Sequence, residues 1–477
     1  MKSPILGSTY VARSVNAADA RMVNLFPEIV PEGGKEPAFL QRAPGLRLLV
    51  TVGTGPIRGI NAYGNNLYVV SGDTLYKVDS DYAVTSIGMV TGATGQVSMA
   101  NDGNHLFVAC NGPSYVYNAT TSAFGQITDV DFPGALTVSY LDGYFVFIEP
   151  NSQRVWVTAL YDPLTIDPLD FASAEGDPDG LISSIVDHSE VWLFGTNSIE
   201  VWYNSGNTDF PLQRIQGAFN EIGCAATFSV AKLDNGLFWL GQDARGKGMV
   251  YRANGYTGQR ISTHAVEWQI QQYGDISDAV GYTYQQDGHS FYVLNFPTAG
   301  ATWVYDVSTQ AWHERAGWIN GQFTCHRGIC QTFFNNDLTV GDYQNGNLYT
   351  YDMNVYADHD RVQKWLRSWR ALPTGQNNLK RTAQHTLQLD CETGVGLQNG
   401  QGSNPQVMLR WSDDGGHTWS DEHWASMGRI GEYFRRVFWR RLGMTLKLRD
   451  RVYEISGTDP VKIAIMGAEI QMSGTNA

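Results

Sequence analysis

Between Tyr63 and Val78 the chain reads YGNNLYVVSGDTLYKV, short runs of alternating apolar and β-branched residues interrupted by Gly, Asn and Asp. The pattern predicts two strands, Leu67 to Val70 and Thr74 to Val78, joined at Ser71, Gly72 and Asp73, because Gly and Asn accept the positive φ that tight turns need. Six related stretches follow, beginning at Asp102, Leu141, Asp187, Leu233, Gln286 and Asn335. Measured from Leu67, Leu106, Phe145, Val191, Leu237, Phe291 and Leu338, the steps are 39, 39, 46, 46, 54 and 47 residues. Periods of about 40 to 50 residues suit propeller blades, since one small sheet cannot bury both faces until neighbours stack on it. The predicted fold is all-β, with a β-propeller-like repeat domain of six or seven blades. An irregular series of sandwich hairpins is the alternative this pattern allows. A propeller commonly closes when one blade borrows a strand from elsewhere in the chain, and the sequence does not show which.

Outside the repeats the pattern changes. Residues 1–49 carry no blade signature; Asn24 to Pro37 (NLFPEIVPEGGKEP) holds three prolines and two adjacent glycines, which predict an extended N-terminal strap lying along another surface. Ala43 to Gly53 then leads into the first strand. Residues 50–356 form the repeat domain, whose longest spacer, Asp162 to Gly180, is acidic, contains prolines and is predicted to be a surface loop. Residues 357–477 are predicted to form an additional C-terminal β-domain, with strand-like patterns at Thr386 to Leu389, Val407 to Trp411, Val437 to Ile455 and Val461 to Ile465. Asp360 to Leu372 fits either a helix or an edge strand: Trp365 and Trp369 have helical spacing, and Val362, Lys364, Leu366 and Ser368 do not settle the strand.

Composition narrows the function. With 51 Gly, 24 Tyr, 14 Trp and 43% hydrophobic residues in 477, the chain has the material for a large, turn-rich β-protein. A formal charge of −14 repels nucleic acid at long range, so any DNA contact is expected to be weak or local. Five scattered cysteines make no disulfide framework and suit synthesis in a reduced, intracellular setting. No apolar run is long enough to predict a membrane span, and the N-terminus does not read as a secretory signal.

Few stretches carry candidate chemistry. Ser412 to Trp419 (SDDGGHTW) has the S-x-D-x-G-x-T-W spacing of an Asp-box hairpin, with Ser412, Asp414, Gly416, Thr418 and Trp419 at its five positions. Its expected role is structural: the carboxylate accepts N–H bonds across the turn, Gly permits the geometry and Trp is a buried anchor. GTGPIRG, with Gly53, Gly55 and Gly59, has one residue too many for a dinucleotide fingerprint and reads as a turn. Cys325, His326 and Cys330 lack a second ligand pair and read as buried thiols, while Asp177, Asp179 and Gly180 lack the remaining oxygens of a calcium loop and read as solvated. Arg429, Arg435, Arg436, Arg440, Arg441, Arg449 and Arg451 make the one strongly basic region. In an acidic protein such a group suits contact with an acidic partner surface, or with phosphates; strand-edge charges that prevent aggregation are the bland alternative.

The ends of the chain resemble the tail hub, or nozzle, proteins of short-tailed bacteriophages, also called packaged-DNA stabilisation proteins or tail accessory factors. The stretches that carry the resemblance are Asn24 to Gly59, Leu387 to Gly396, Pro405 to Gly443 and Arg449 to Ala468. What the resemblance implies is a non-enzymatic virion protein with no cofactor, made in the host cytoplasm and placed in the tail. It implies a hexameric ring below the portal and adaptor ring proteins that extends the DNA channel. Such a ring retains the packaged genome with a tail needle or plug protein, conducts double-stranded DNA during ejection and supports tailspike or fibre proteins. On this reading acidic residues face the channel and the arginine group, Arg435, Arg436, Arg440, Arg441, Arg449 and Arg451 in particular, meets another subunit or partner. A carbohydrate-binding or sialidase-like propeller is the alternative that the Asp-box and the many aromatics suggest, although no spacing links an arginine cluster to a tyrosine nucleophile. A quinone-dependent redox propeller would need a tryptophan recurring at one position in every blade, and there is none.

Overall fold

Each of the seven hairpins forms the two middle strands of an antiparallel blade, and in the sixth and seventh blades the sheet continues beyond the blade into further strands. The computed structural model describes residues 1–15, 17–91, 94–376, 381–445 and 451–474. In the first blade the order is Ile57–Tyr63, Asn66–Ser71, Thr74–Val78 and Val84–Met89, with Gly72 at φ +60° turning the central hairpin. Six further blades follow, with inner strands Ser98–Asn101, Val138–Leu141, Leu181–Asp187, Ala231–Leu233, Val280–Gln286 and Gly328–Phe334. A short helix, His264–Gln271, capped by the Thr263 hydroxyl accepting from Val266 N, separates blades five and six.

Period-two alternation explains why the blades need one another. Along Asn66–Ser71, Leu67 and Val69 pack toward blade seven while Tyr68 and Val70 pack toward blade two. The same division recurs around the ring: Phe145 and Phe147 face blade two, Val146 and Ile148 face blade four. Both faces of each strand are thus buried, in seven separate apolar layers. Fully burying each such side chain contributes roughly 1.5–3 kcal/mol that an isolated blade could not realise.

The ring closes through the N-terminal segment. Gly45–Thr51, read from sequence as a lead-in to blade one, instead pairs antiparallel with Asn347–Asp352 and supplies the outer strand of blade seven. Gly45 is needed there: a Cβ would lie 2.4 Å from the Ala357 carbonyl oxygen and 2.5 Å from that of Val355.

The remainder of the extended N-terminal strap is paired with other strands. Leu25–Ile29 and Ala38–Arg42 make a hairpin whose second strand joins Ala464–Gly474 in one sheet of a C-terminal sandwich, alongside Thr382–Cys391 and Val437–Arg440. The opposing sheet contains Trp365–Arg370, Val452–Gly457, Gln406–Ser412 and His423–Ser426. Met22–Val23 stitches that sheet to blade six, pairing with Leu366 and Arg367 on one side and Glu314 on the other. Trp365–Arg370 is therefore an interior strand, neither helix nor edge. The helical spacing of Trp365 and Trp369 arises because four is also an even number, so both face the same core, beside Leu409, Tyr453 and Ile455.

Polar groups lock this junction. Asn24, fully buried, donates from Nδ2 to Ala316 O (2.8 Å) and Lys364 O (2.7 Å) and accepts from Ala316 N (3.0 Å). Arg42, also fully buried, donates to the carbonyls of Tyr356, Gln363, Asp459 and Val461 and to Gln363 Oε1. Burial pushes its guanidinium down to about 10, and nearby Asp358 opposes that fall. One residue thus satisfies carbonyls from the propeller exit and from the sandwich.

Candidate functional site

The inner strands leave an axial cavity of 460 Å³ lined by all seven blades, including Ser98, Ser139, Ser184, Lys232 and Gln331. Several of its polar groups already have partners within the protein. Thr137 and Ser184 hydroxyls share a 2.8 Å bond, Arg58 donates to the carbonyls of Gly72, Thr94 and Gly95, and Lys232 pairs with Asp187 at 3.7 Å. The volume is that of a small-molecule site and far too small for a nucleic-acid duplex.

The Asp-box folds as a turn. Ser412 Oγ donates to Asp414 Oδ1 (2.6 Å), and the Asp414 carboxylate accepts from the backbone N–H groups of His417 (3.0 Å) and Thr418 (2.9 Å) and from Thr418 Oγ1 (2.6 Å). These bonds, that from Ser412 foremost, hold the carboxyl far below its ordinary value. Trp419 is only half-buried: its indole N–H donates to Gly416 O (3.1 Å), and the Arg410 guanidinium lies 4.7 Å from its ring. Gly416 sits at φ +104° against Asp19, where a Cβ would meet the carboxylate at 2.5 Å. The polar side-chain atoms of Ser412, Asp414, Thr418 and Trp419 are all committed to shaping the loop.

Arg451 departs from the rest of the arginine group. It is 2% exposed, forks onto Asp413 at 2.6 and 2.8 Å, donates to Leu442 O (2.7 Å) and stacks on Trp411. A side chain committed in this way anchors the Asp-box hairpin and cannot meet a partner. Arg449 lies outside the described residues. Arg429, Arg435, Arg436, Arg440 and Arg441 are all exposed, and among the described residues none of them forms an ion pair.

Sequence reasoning missed what surrounds those arginines. His423–Ser426 and Val437–Arg440 are terminal strands of the two sandwich sheets, and they meet where the Trp439 indole donates to His423 O (2.8 Å). Beside that seam Trp424, Phe434, Arg435, Arg436 and Phe438 line a cleft of 580 Å³, with Arg440 stacked 4.5 Å from the Phe438 ring centre. Phe434 is 97% exposed, Tyr433 69% and Trp424 61%. The available signal was the pair Tyr433-Phe434 just after Gly428 and Gly431, apolar residues in a stretch without strand alternation.

The other candidates resolve simply. Asp179 is buried, its carboxylate accepting from Asn197 N, Ser198 N and Ser198 Oγ, so it braces a turn and is not solvated as expected. Burial pushes the Cys325 and Cys330 thiols up to about 12 and His326 down to about 3. Among the described residues no group of His, Cys, Asp and Glu is arranged to hold a metal ion, and no helix is long and apolar enough to cross a membrane.

Comparison with solved structures returns propeller-length likenesses at low identity. A streptogramin B lyase matches at 9% identity and TM-score 0.45, covering 69% of this chain and 98% of its own. The computationally designed Ika8 protein matches at 14% and 0.40, covering 64% and 100%, and the N-terminal domain of Nup159 at 10% and 0.40, covering 70% and 98%. A comparison with curated proteins returns no match. Residues 1–356 match the family described as "Bacteriophage P22 Gp10, beta-propeller", and residues 365–473 match "Bacteriophage P22 Gp10, beta-sandwich". With the propeller and the sandwich each accounted for, the chain belongs to the bacteriophage P22 Gp10 family of phage tail structural proteins.

Proposed function

We propose that copies of this chain assemble into a ring, a hexamer, that extends the portal channel of a short-tailed phage, helps retain packaged DNA and conducts it during ejection. The observation that carries the reading is the family match to both modules, over residues 1–356 and 365–473. The chain's own architecture supports it. A 460 Å³ axial cavity leaves no passage for a duplex inside one propeller, so the DNA conduit lies between copies and the blades form its wall. A net charge of −14 suits a lumen to which DNA does not adhere, since like charges repel. The proposed neighbours are the portal and adaptor ring proteins on one side, and tailspike or fibre proteins with a needle or plug on the other. Nothing in the Asp-box or the axial cavity adds an enzymatic constellation to this role.

Cryo-electron microscopy of the virion tests the reading. The expected result is a ring of this chain below the portal with carboxylates facing the lumen. A tail lacking the chain, or a ring with a basic lumen, would overturn it.

A further inference from the structure

A second exposed apolar surface lies on blades two and three. Val130 is 93% exposed, Leu169 77% and Tyr161 66%. The two loops that bear them are joined by Ile166 N donating to Asp129 Oδ2 at 3.2 Å. Asp129, Asp131, Asp162, Asp167 and Asp170 surround these residues, and among the described residues none of the five forms an ion pair. The surface is thus apolar at its centre and negative at its rim. The sandwich cleft is its opposite: Trp424, Tyr433 and Phe434 at the centre, with unpaired arginines around them. Exposed apolar clusters of this kind, rimmed by charge, mark association surfaces.

Their placement decides the partner. The sandwich is stitched to blade six through Met22–Val23, and blades two and three stand across the ring from blade six. The two surfaces are therefore carried by opposite parts of the ring, and among the described residues no ion pair joins them within one chain. We propose that the arginine and aromatic face of one copy docks on the aspartate and apolar loops of blades two and three of the next copy. Contact between two different patches is heterologous, and repeated head to tail it closes into a ring when the rotation permits. This inference rests on the ring reading above and names the two surfaces that meet in it.

Charge exchange tests the pairing. R435E/R436E and V130R/D131R alter exposed side chains on opposite surfaces, so circular dichroism and melting of both are expected to match the unaltered chain. Each alone is expected to lose self-association by at least about tenfold in apparent Kd, because like charges then face each other. Light scattering and sedimentation of the full chain over a concentration series read this out. Mixed in equal amounts the two variants are expected to recover association, each acidic cleft meeting a basic loop, and alternation limits closed rings to even numbers of copies. Four results overturn the proposal: variants that associate like the unaltered chain, a mixture that fails to recover, an unaltered chain that stays monomeric throughout, or R435E/R436E keeping association while losing binding to a duplex oligonucleotide. A virion ring built through other surfaces would sink the pairing and leave the ring reading standing, whereas a single copy per tail would sink both.

Discussion

His289 sits where blade six meets the N-terminal hairpin, and it makes the junction sensitive to pH. Its Nδ1 lies 2.8 Å from Asp306 Oδ2 and its Nε2 lies 2.6 Å from Glu28 Oε2, with the Phe26 ring edge-on at 5.0 Å. Burial disfavours the imidazolium, but the bonds to Asp306 and then Glu28 outweigh it and raise the group from 6.5 to about 9. A raised folded-state value means that the stabilisation is complete below 6.5, where folded and unfolded chains are both protonated. Above that the unfolded chain releases its proton first, and stability falls by about 1.4 kcal/mol per pH unit, a total of about 3 kcal/mol by pH 9. Asp306 behaves oppositely: its folded value is depressed, so its contribution is present above 3.8 and is lost as pH falls. Glu28→Gln keeps the shape and removes one of the two charges, and is expected to flatten the alkaline loss to about 1–2 kcal/mol. Urea denaturation of both proteins between pH 6.5 and 9, with an NMR titration of His289, measures this. Equal alkaline losses in the two proteins, or a His289 midpoint at or below 6.5, would refute the reasoning.

Three other perturbations follow from the geometry. Arg42→Met strands the carbonyls of Tyr356, Gln363, Asp459 and Val461 and is expected to cost at least about 3 kcal/mol by chemical denaturation, with Arg42→Lys recovering only part because one ammonium cannot fork to both modules. Asp414→Ala is expected to cost about 1–2 kcal/mol, and hydrogen exchange should show the His417 and Thr418 amides losing protection while the blades keep theirs. Gly45→Ala forces a Cβ onto the Ala357 and Val355 carbonyls and is expected to loosen ring closure by about 2 kcal/mol, read as faster exchange in Asn347–Asp352.

The blades were legible because their information is local. A hairpin strand that buries alternate residues in two neighbouring layers must be apolar on both faces, and its turns must carry Gly, Asn or Asp, so each unit announces itself within about 20 residues. What failed to show was whatever depends on a distant partner. LRLLVT at Leu46 to Thr51 lacks clean alternation, and its partner strand lies some 300 residues on, so nothing nearby marks it as the outer edge of blade seven. Arg451 and Arg435 look alike in sequence; only the fork onto Asp413 separates a buried anchor from an exposed cation. The docking surfaces were half legible, since the arginines and the acidic loop stood out and the exposure of Phe434 and Val130 beside them did not.

The pairing of the first 51 residues also sets the order in which the protein can be completed. Ser3 waits for Trp369 and Ala371, Met1 for Ile470, and Gly45–Thr51 for Asn347–Asp352. Gly45–Thr51 is thus synthesised some 300 residues before the strand it pairs with, and until then it is an unpaired β-strand, the kind of edge that recruits other chains. Pro27, Pro31 and Pro37, which look ill-suited to a strand, together with Gly33 and Gly34, fit that interval. Residues of these types disfavour strand pairing, which suits a segment that precedes by hundreds of residues the propeller whose ring it closes.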